Sequence, residues 1–173
     1  MATKPTTFED FPLSNPNAIE VGVGELAVAR SPKFLITMAL GSCVGVALWD
    51  STTKQGGLAH VMLPSPLESL PDATGHRFAS VAIPELAKLL VAQGASRRRL
   101  VAKIAGGAAM FASETSLATI GDRNADEVKH QLELLKIPLI AEDTGGGHAR
   151  TVELYPDDGV FKVRSYLYGI REL

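Results

Sequence analysis

Hydrophobic residues occur in short runs separated by polar turns, a pattern typical of β-strands. The predicted strands cover residues 26–28, 34–40, 44–49, 58–63, 100–105, 139–141, 151–155 and 160–163. Two pairs of consecutive strands are joined by short polar loops, and the loop Pro156-Asp-Asp-Gly159 has a composition that favours a hairpin turn. The pattern therefore predicts about eight strands, with β-hairpins among them.

One stretch after the first four strands has its apolar residues at helical spacing instead. They recur every three or four positions over residues 78–90, and Gly94 follows at the predicted end. Pro84 lies inside this stretch, where it must either fall in the opening turns or kink the helix. The spacing predicts an amphipathic helix over residues 78–94.

A second helix is predicted further along the chain. Val128, Leu132 and Leu135 form its apolar stripe. Asn124 is the predicted N-cap, with Glu127 three residues later as its capping-box partner.

Hairpin-linked strands with only two long helices argue against a strictly alternating, parallel arrangement. We predict an α/β fold, a layered sandwich in which the helices pack over mixed, largely antiparallel β-sheets. Residues 1–17 are polar and rich in proline and predict a flexible lead-in, which leaves residues 18–173 as a single domain. Residues 64–75 contain three prolines and are predicted to be a loop.

The overall composition is that of a soluble globular protein and disfavours several functional classes. Hydrophobic residues make up 46% and charged residues 21%, and the formal net charge is −2, so there is no basic excess for nucleic-acid binding. No run approaches the ~18 apolar residues of a membrane span, and residues 1–17 lack a signal pattern. The single cysteine cannot form an internal disulfide, so we expect a cytoplasmic protein.

Cys43 and His60 are the residues best suited to chemistry. Covalent hydrolysis of an amide needs a nucleophile, a base that takes its proton, and a group that orients the base. His60 lies on the strand that forms a hairpin with the strand after Cys43, although the register is not fixed by the sequence. Thr37 lies six residues before Cys43, and this even spacing places it on the same face, where its hydroxyl could accept an imidazole N–H.

Gly41 and Ser42 interrupt the strand immediately before the cysteine. A glycine at this point lets a substrate come close to the backbone and frees amide N–H groups to face a developing oxyanion. The two residues are therefore predicted to position the substrate.

Each of these residues also has an ordinary structural interpretation. A lone cysteine in an apolar run is commonly a small core residue, and a histidine among apolar neighbours is commonly a core histidine. Thr37 is also a good strand former. Residue spacing alone leaves both interpretations open.

The segments around these residues resemble the signature of a known family, the CheD chemoreceptor deamidases. They are Leu40-Gly-Ser-Cys43-Val-Gly-Val46 and Gly56-Gly-Leu-Ala-His60-Val-Met-Leu-Pro64. Residues 102–111, 120–124 and 141–150 are similar to later segments of that family, in the same order.

The resemblance implies a catalytic triad of Cys43, His60 and Thr37. It also implies hydrolysis of selected glutamine side chains of methyl-accepting chemotaxis receptors to glutamate with release of ammonia, a fold resembling deamidase toxins, and a CheC-type phosphatase as partner. No cofactor or metal is expected, since His76, His130 and His148 show no shared ligand spacing.

Two other functions use the same sequence features. The chain could be a non-catalytic module that regulates a phosphatase or receptor by docking. A thiol protease would form the same kind of acyl-thiol intermediate, and only the shape of the cleft separates it from a deamidase.

Three positions bear on contacts with a substrate or partner. His148 follows Gly147 where the family commonly has an asparagine, and Phe78 opens the first helix where a tyrosine is common. We expect these departures to affect substrate or partner contacts rather than the chemistry. Arg150 is predicted either to contact an acidic receptor surface or to be solvated.

Overall fold

Two five-stranded β-sheets and two α-helices make up the part of the chain that the computed structural model describes, residues 12–66, 75–111 and 119–173. The strands are β1 (Ala18–Glu20), β2 (Leu26–Arg30), β3 (Phe34–Leu40), β4 (Val44–Asp50), β5 (Gln55–Val61), β6 (Val101–Gly106), β7 (Leu139–Thr144), β8 (Arg150–Leu154), β9 (Phe161–Ser165) and β10 (Gly169–Glu172). The helices are α1 (Ala79–Ala92) and α2 (Ile120–Leu134), and short 3₁₀ helices occur at Pro12–Ser14 and Arg97–Arg99.

The sheets are mixed and largely antiparallel, as the sequence predicted. The first sheet has the strand order β1-β3-β8-β9-β10 and the second has the order β2-β5-β4-β6-β7. The pairs β1–β3 and β6–β7 are parallel, whereas the other pairs are antiparallel. The β4–β5 and β8–β9 hairpins are confirmed.

Two apolar clusters arrange these elements in layers. One cluster lies between the two sheets and includes Leu40, Ala47, Leu58 and Val152. The other joins α1 and α2 to the opposite face of the second sheet. The second sheet is therefore the middle layer, which confirms the predicted layered α/β sandwich.

The first helix agrees with its sequence pattern. It runs over Ala79–Ala92 with Phe78 at the N-cap, and Pro84 lies in its second turn. Neither α1 nor α2, the two α-helices in the described residues, combines the length and apolar character needed to cross a membrane.

The predicted cap of the second helix is wrong. α2 begins at Ile120, and Thr119 is its N-cap in a capping box with Asp122. Thr119-x-x-Asp122 supplies the same reciprocal hydrogen bonds one turn earlier than the pattern assigned to Asn124 and Glu127. Asn124 is therefore inside the helix and buried.

Two short strands and several strand boundaries were not predicted from the sequence pattern. β1 and β10 have three and four residues and no buried position, so they carry no apolar alternation. β5 begins at Gln55, before the predicted start, because Gln55 pairs with Asp50 across the hairpin. Residues 1–11 of the predicted lead-in and residues 67–74 of the predicted loop lie outside the described residues.

Candidate active site

The β4–β5 register brings Cys43 and His60 to one face of the second sheet. Gly45 lies directly opposite His60. Cys43 is two residues before Gly45 and packs against the cluster between the sheets. Because alternate residues of a strand share a face, Cys43 is the diagonal neighbour of His60, a relation that long side chains can bridge.

Thr37 reaches His60 from the other sheet. Its Oγ1 lies 2.7 Å from His60 Nδ1 and donates its own proton to the carbonyl of Val21 at 2.5 Å. A hydroxyl has one proton, so Oγ1 must accept the Nδ1–H of the imidazole. The contact fixes the tautomer of neutral His60 and leaves Nε2 as an unprotonated base.

Burial keeps the imidazole neutral. The His60 side chain is fully buried. Its Nε2 has no hydrogen-bond partner among the described residues, so it is not hydrogen-bonded to the Cys43 thiol. Desolvation lowers the pKa of His60 from 6.5 to about 4. At neutral pH the ring is therefore unprotonated.

This lowered pKa predicts that the protein loses stability in mild acid. Between pH 6.5 and about 4 the unfolded chain binds a proton at His60 that the folded chain does not, so the free energy of unfolding falls as the pH falls through this window. We expect about 2 kcal/mol from this group, measured by urea denaturation as the difference between the wild type and His60→Gln. An equal pH dependence in both proteins would contradict the buried, neutral imidazole.

Cys43 opens into an apolar cleft. The thiol is half-buried, and the cleft has a volume of about 340 Å³. Its lining residues are Ala39, Gly41, Ser42, Cys43, Met110, Phe111 and Ile120. Desolvation raises the pKa of the Cys43 thiol, and the backbone N–H of Cys43 partly opposes this rise. The resting pair is therefore a neutral thiol and a neutral imidazole rather than an ion pair.

The loop that carries the cysteine is held by its carbonyl groups. Gly41 O accepts from Ala108 N at 2.9 Å, and Cys43 O accepts from Gly107 N at 2.8 Å. Ser42 O accepts from the Asn124 side chain at 2.9 Å. The backbone N–H groups of Ser42 and Cys43 have no backbone acceptor among the described residues, and the Cys43 N–H interacts with its own thiol.

Gly106, the last residue of β6, and Gly121 in α2 make this arrangement possible. A Cβ at Gly106, which has φ +115°, would lie 2.2 Å from the carbonyl oxygen of Cys43. A Cβ at Gly121, at the start of α2, would lie 2.5 Å from Ala108 O. From the sequence, these glycines were identified only as parts of segments similar to the family. Their role could not be predicted, because it depends on contacts between distant parts of the chain.

Gly106→Ala is expected to destabilise the protein by about 3 kcal/mol, because it combines a positive φ with a backbone collision. Gly145→Ala is the matched control, since Gly145 has φ +82° but no atom within 4 Å of the position that a Cβ would occupy. The control should lose only about 1 kcal/mol. Equal losses in urea denaturation would show that the contact with Cys43 contributes nothing.

The structure bears on three further expectations about side-chain contacts. Arg150 is neither solvated nor available to a receptor, because its buried guanidinium donates to Asp143 and to Gly145 O. Phe78 is buried beneath the guanidinium of Arg77, so its side chain belongs to the core. His148 packs edge-on against Tyr168 and does not line the Cys43 cleft.

Metal-ligating side chains do not cluster in the part of the chain that the structure describes. No three His, Cys, Asp or Glu side chains there lie close enough together to hold a metal ion.

Comparison with known proteins gives consistent matches. The family model described as CheD chemotactic sensory transduction matches residues 62–165. A "Probable chemoreceptor glutamine deamidase CheD" of Moorella thermoacetica is 48% identical over 153 residues, which cover 87% of this chain and 92% of that protein. The protein of the same name from Clostridium novyi is 45% identical over 161 residues, 92% of this chain and 99% of that protein.

Proposed function

Because the chain belongs to the CheD family, we propose that it hydrolyses selected glutamine side chains of chemoreceptors to glutamate and releases ammonia. The structural observation that carries the proposal is the buried imidazole of His60. Thr37 engages its Nδ1 and leaves Nε2 unpaired on the face that Cys43 shares. A docking module has no physical need for such a base.

The first half of the reaction forms a thioester. As the glutamine carboxamide enters the cleft, His60 Nε2 takes the thiol proton and Cys43 Sγ attacks the carbonyl carbon. The tetrahedral intermediate then expels ammonia, which receives the proton from the imidazolium. Since both groups are neutral at rest, the proton moves only as the nucleophile attacks.

The second half restores the enzyme. His60 Nε2 takes a proton from water, whose oxygen attacks the thioester carbonyl. The C–S bond breaks, the thiolate regains its proton from the imidazolium, and glutamate leaves. One water is consumed and one ammonia released for each glutamine.

Backbone groups of the cysteine loop stabilise the negative charge in this mechanism. The N–H groups of Ser42 and Cys43 donate to the oxyanion, and each such donor contributes about 3 kcal/mol in comparable sites. Gly41 allows close approach, because a Cβ there would lie 3.0 Å from Met110 Cγ, inside the cleft.

Thr37 acts through the imidazole. Its hydroxyl holds the ring but carries no charge, so it stabilises the imidazolium less than a carboxylate would. We assign it the role of orienting His60 and fixing its tautomer.

We propose that the chain acts in the cytoplasm, on the cytoplasmic domains of methyl-accepting receptors. A CheC-type phosphatase is the further partner implied by the family resemblance. Residues 18–173 are proposed to form one deamidase domain.

Incubation with purified receptor cytoplasmic fragments separates the candidate functions. A deamidase yields ammonia in equal amount to glutamines converted to glutamate, seen as the mass change from amide to acid in intact fragments. A protease would cut the fragments instead. Binding with neither product would support the docking module and overturn the proposal.

A further inference from the structure

The hairpin that carries the active site opens into a fork at the cysteine. The last register pair of β4 and β5 is Val44 with Val61. Beyond it the chain after β5 turns away, since the N–H groups of Met62 and Leu63 both donate to Arg77 O. Where the two strands separate, the carbonyls of Ser42 and Met62 have no backbone donor among the described residues.

One side chain bridges the gap between the two separating strands. Asn124 Nδ2 donates to Ser42 O at 2.9 Å and to Met62 O at 3.0 Å. The first carbonyl is one residue before the nucleophile, and the second is two residues after the base. A single amide thus joins the two backbone segments whose spacing sets the distance from Cys43 to His60.

The helix behind Asn124 is fixed to the same loop. Gly121, one turn earlier, packs directly on the Gly107–Ala108 segment that donates to Cys43 O and Gly41 O. The Asn124 amide oxygen is buried and has no partner among the described residues.

We propose that Asn124 is a positioning residue that holds the Cys43 loop and the His60 strand at the separation needed for proton transfer. The inference rests on the proposed function of the Cys43–His60 pair. Asparagine suits this task because its amide has two donor protons, whereas aspartate has none when ionised and leucine has none at similar size.

Asn124→Leu and Asn124→Asp are expected to lower kcat for ammonia release about 100-fold, the effect of displacing reacting groups by about 1 Å. KM should change much less, because Asn124 does not line the cleft. Activity should recover towards alkaline pH, where the thiol ionises without help from the imidazole.

Val128→Ala is the matched control. Val128 lies one turn further along the buried face of α2, and its apolar side chain cannot hydrogen-bond to either strand. This variant should lose stability while kcat and the pH profile stay unchanged. Asn124→Ala serves as a second variant, since it removes the amide without adding charge or bulk.

The outcomes separate the positioning role from the proposed function. An active wild type with Asn124 variants that keep kcat, or lose it equally at all pH values, overturns the positioning role alone. Asn124 variants that fail to fold where Val128→Ala folds also overturn it, because the amide would then serve folding. A wild type without deamidase activity overturns the proposed function itself.

Discussion

Cys43→Ala is expected to reduce deamidation of receptor fragments by about 10⁴-fold or more, because no other group in the cleft can form the thioester. Cys43→Ser should be nearly as inactive. A serine hydroxyl is far less acidic than a thiol, so its deprotonation needs a stronger base. Thr37 is uncharged and stabilises the His60 imidazolium too little for His60 to act as that base. The measurement is the rate of ammonia release at saturating receptor fragment.

Both variants should remain folded, which makes the rates interpretable. Cys43 is half-buried at the edge of the inter-sheet cluster, so its replacement by a smaller side chain costs about 1 kcal/mol. Urea denaturation checks this. A folded Cys43→Ala protein that deamidates at the wild-type rate would place the chemistry elsewhere.

His60→Gln is expected to lower kcat by about 10³-fold at neutral pH, because the thiol loses its general base. Glutamine is close to histidine in size and can still hydrogen-bond to Thr37 Oγ1. Burial raises the pKa of the Cys43 thiol, so the variant's rate should climb steeply with pH as hydroxide replaces the imidazole. The measurement is kcat of the wild type and of His60→Gln from about pH 6 to about pH 10.

His130→Gln is the control for that substitution. His130 is exposed on α2, away from the residues that line the cleft. It should keep the wild-type rate and pH profile. If His60→Gln also keeps them, His60 is a core histidine and does not act as the base.

Local patterns were sufficient for the elements that carry the site. The apolar runs over residues 44–49 and 58–63 predicted the hairpin, because each strand's signal lies within its own residues. Motif resemblance then selected Cys43, His60 and Thr37 from several ordinary interpretations. The even spacing that predicted Thr37 and Cys43 on one face of the same strand was wrong, because β3 and β4 belong to different sheets. The contact of Thr37 with His60 depends on how the two sheets pack.

Asn124 shows where local reasoning is insufficient. Its neighbourhood has the residues of a capping box, yet Thr119 and Asp122 form the actual one. The two carbonyls that Asn124 serves lie 82 and 62 residues away in sequence. No helical pattern encodes contacts of that kind.

Gly106 and Arg150 illustrate the same limit. The collision that a Cβ at Gly106 would make is with the backbone of Cys43, next to the neighbouring strand. Arg150 was expected at the surface because arginine usually lies there, but Asp143 on β7 supplies a largely buried partner. Both outcomes depend on the assembled sheets.

The most direct test of the central claim is covalent capture at the proposed nucleophile. A receptor peptide whose target glutamine carries a diazoketone in place of the carboxamide presents an electrophile to the attacking thiol. We predict one adduct per protein, on Cys43, the chain's single cysteine, formed much more slowly in His60→Gln. An unmodified Cys43, or an adduct on another residue in a protein that deamidates the native peptide, would contradict the account.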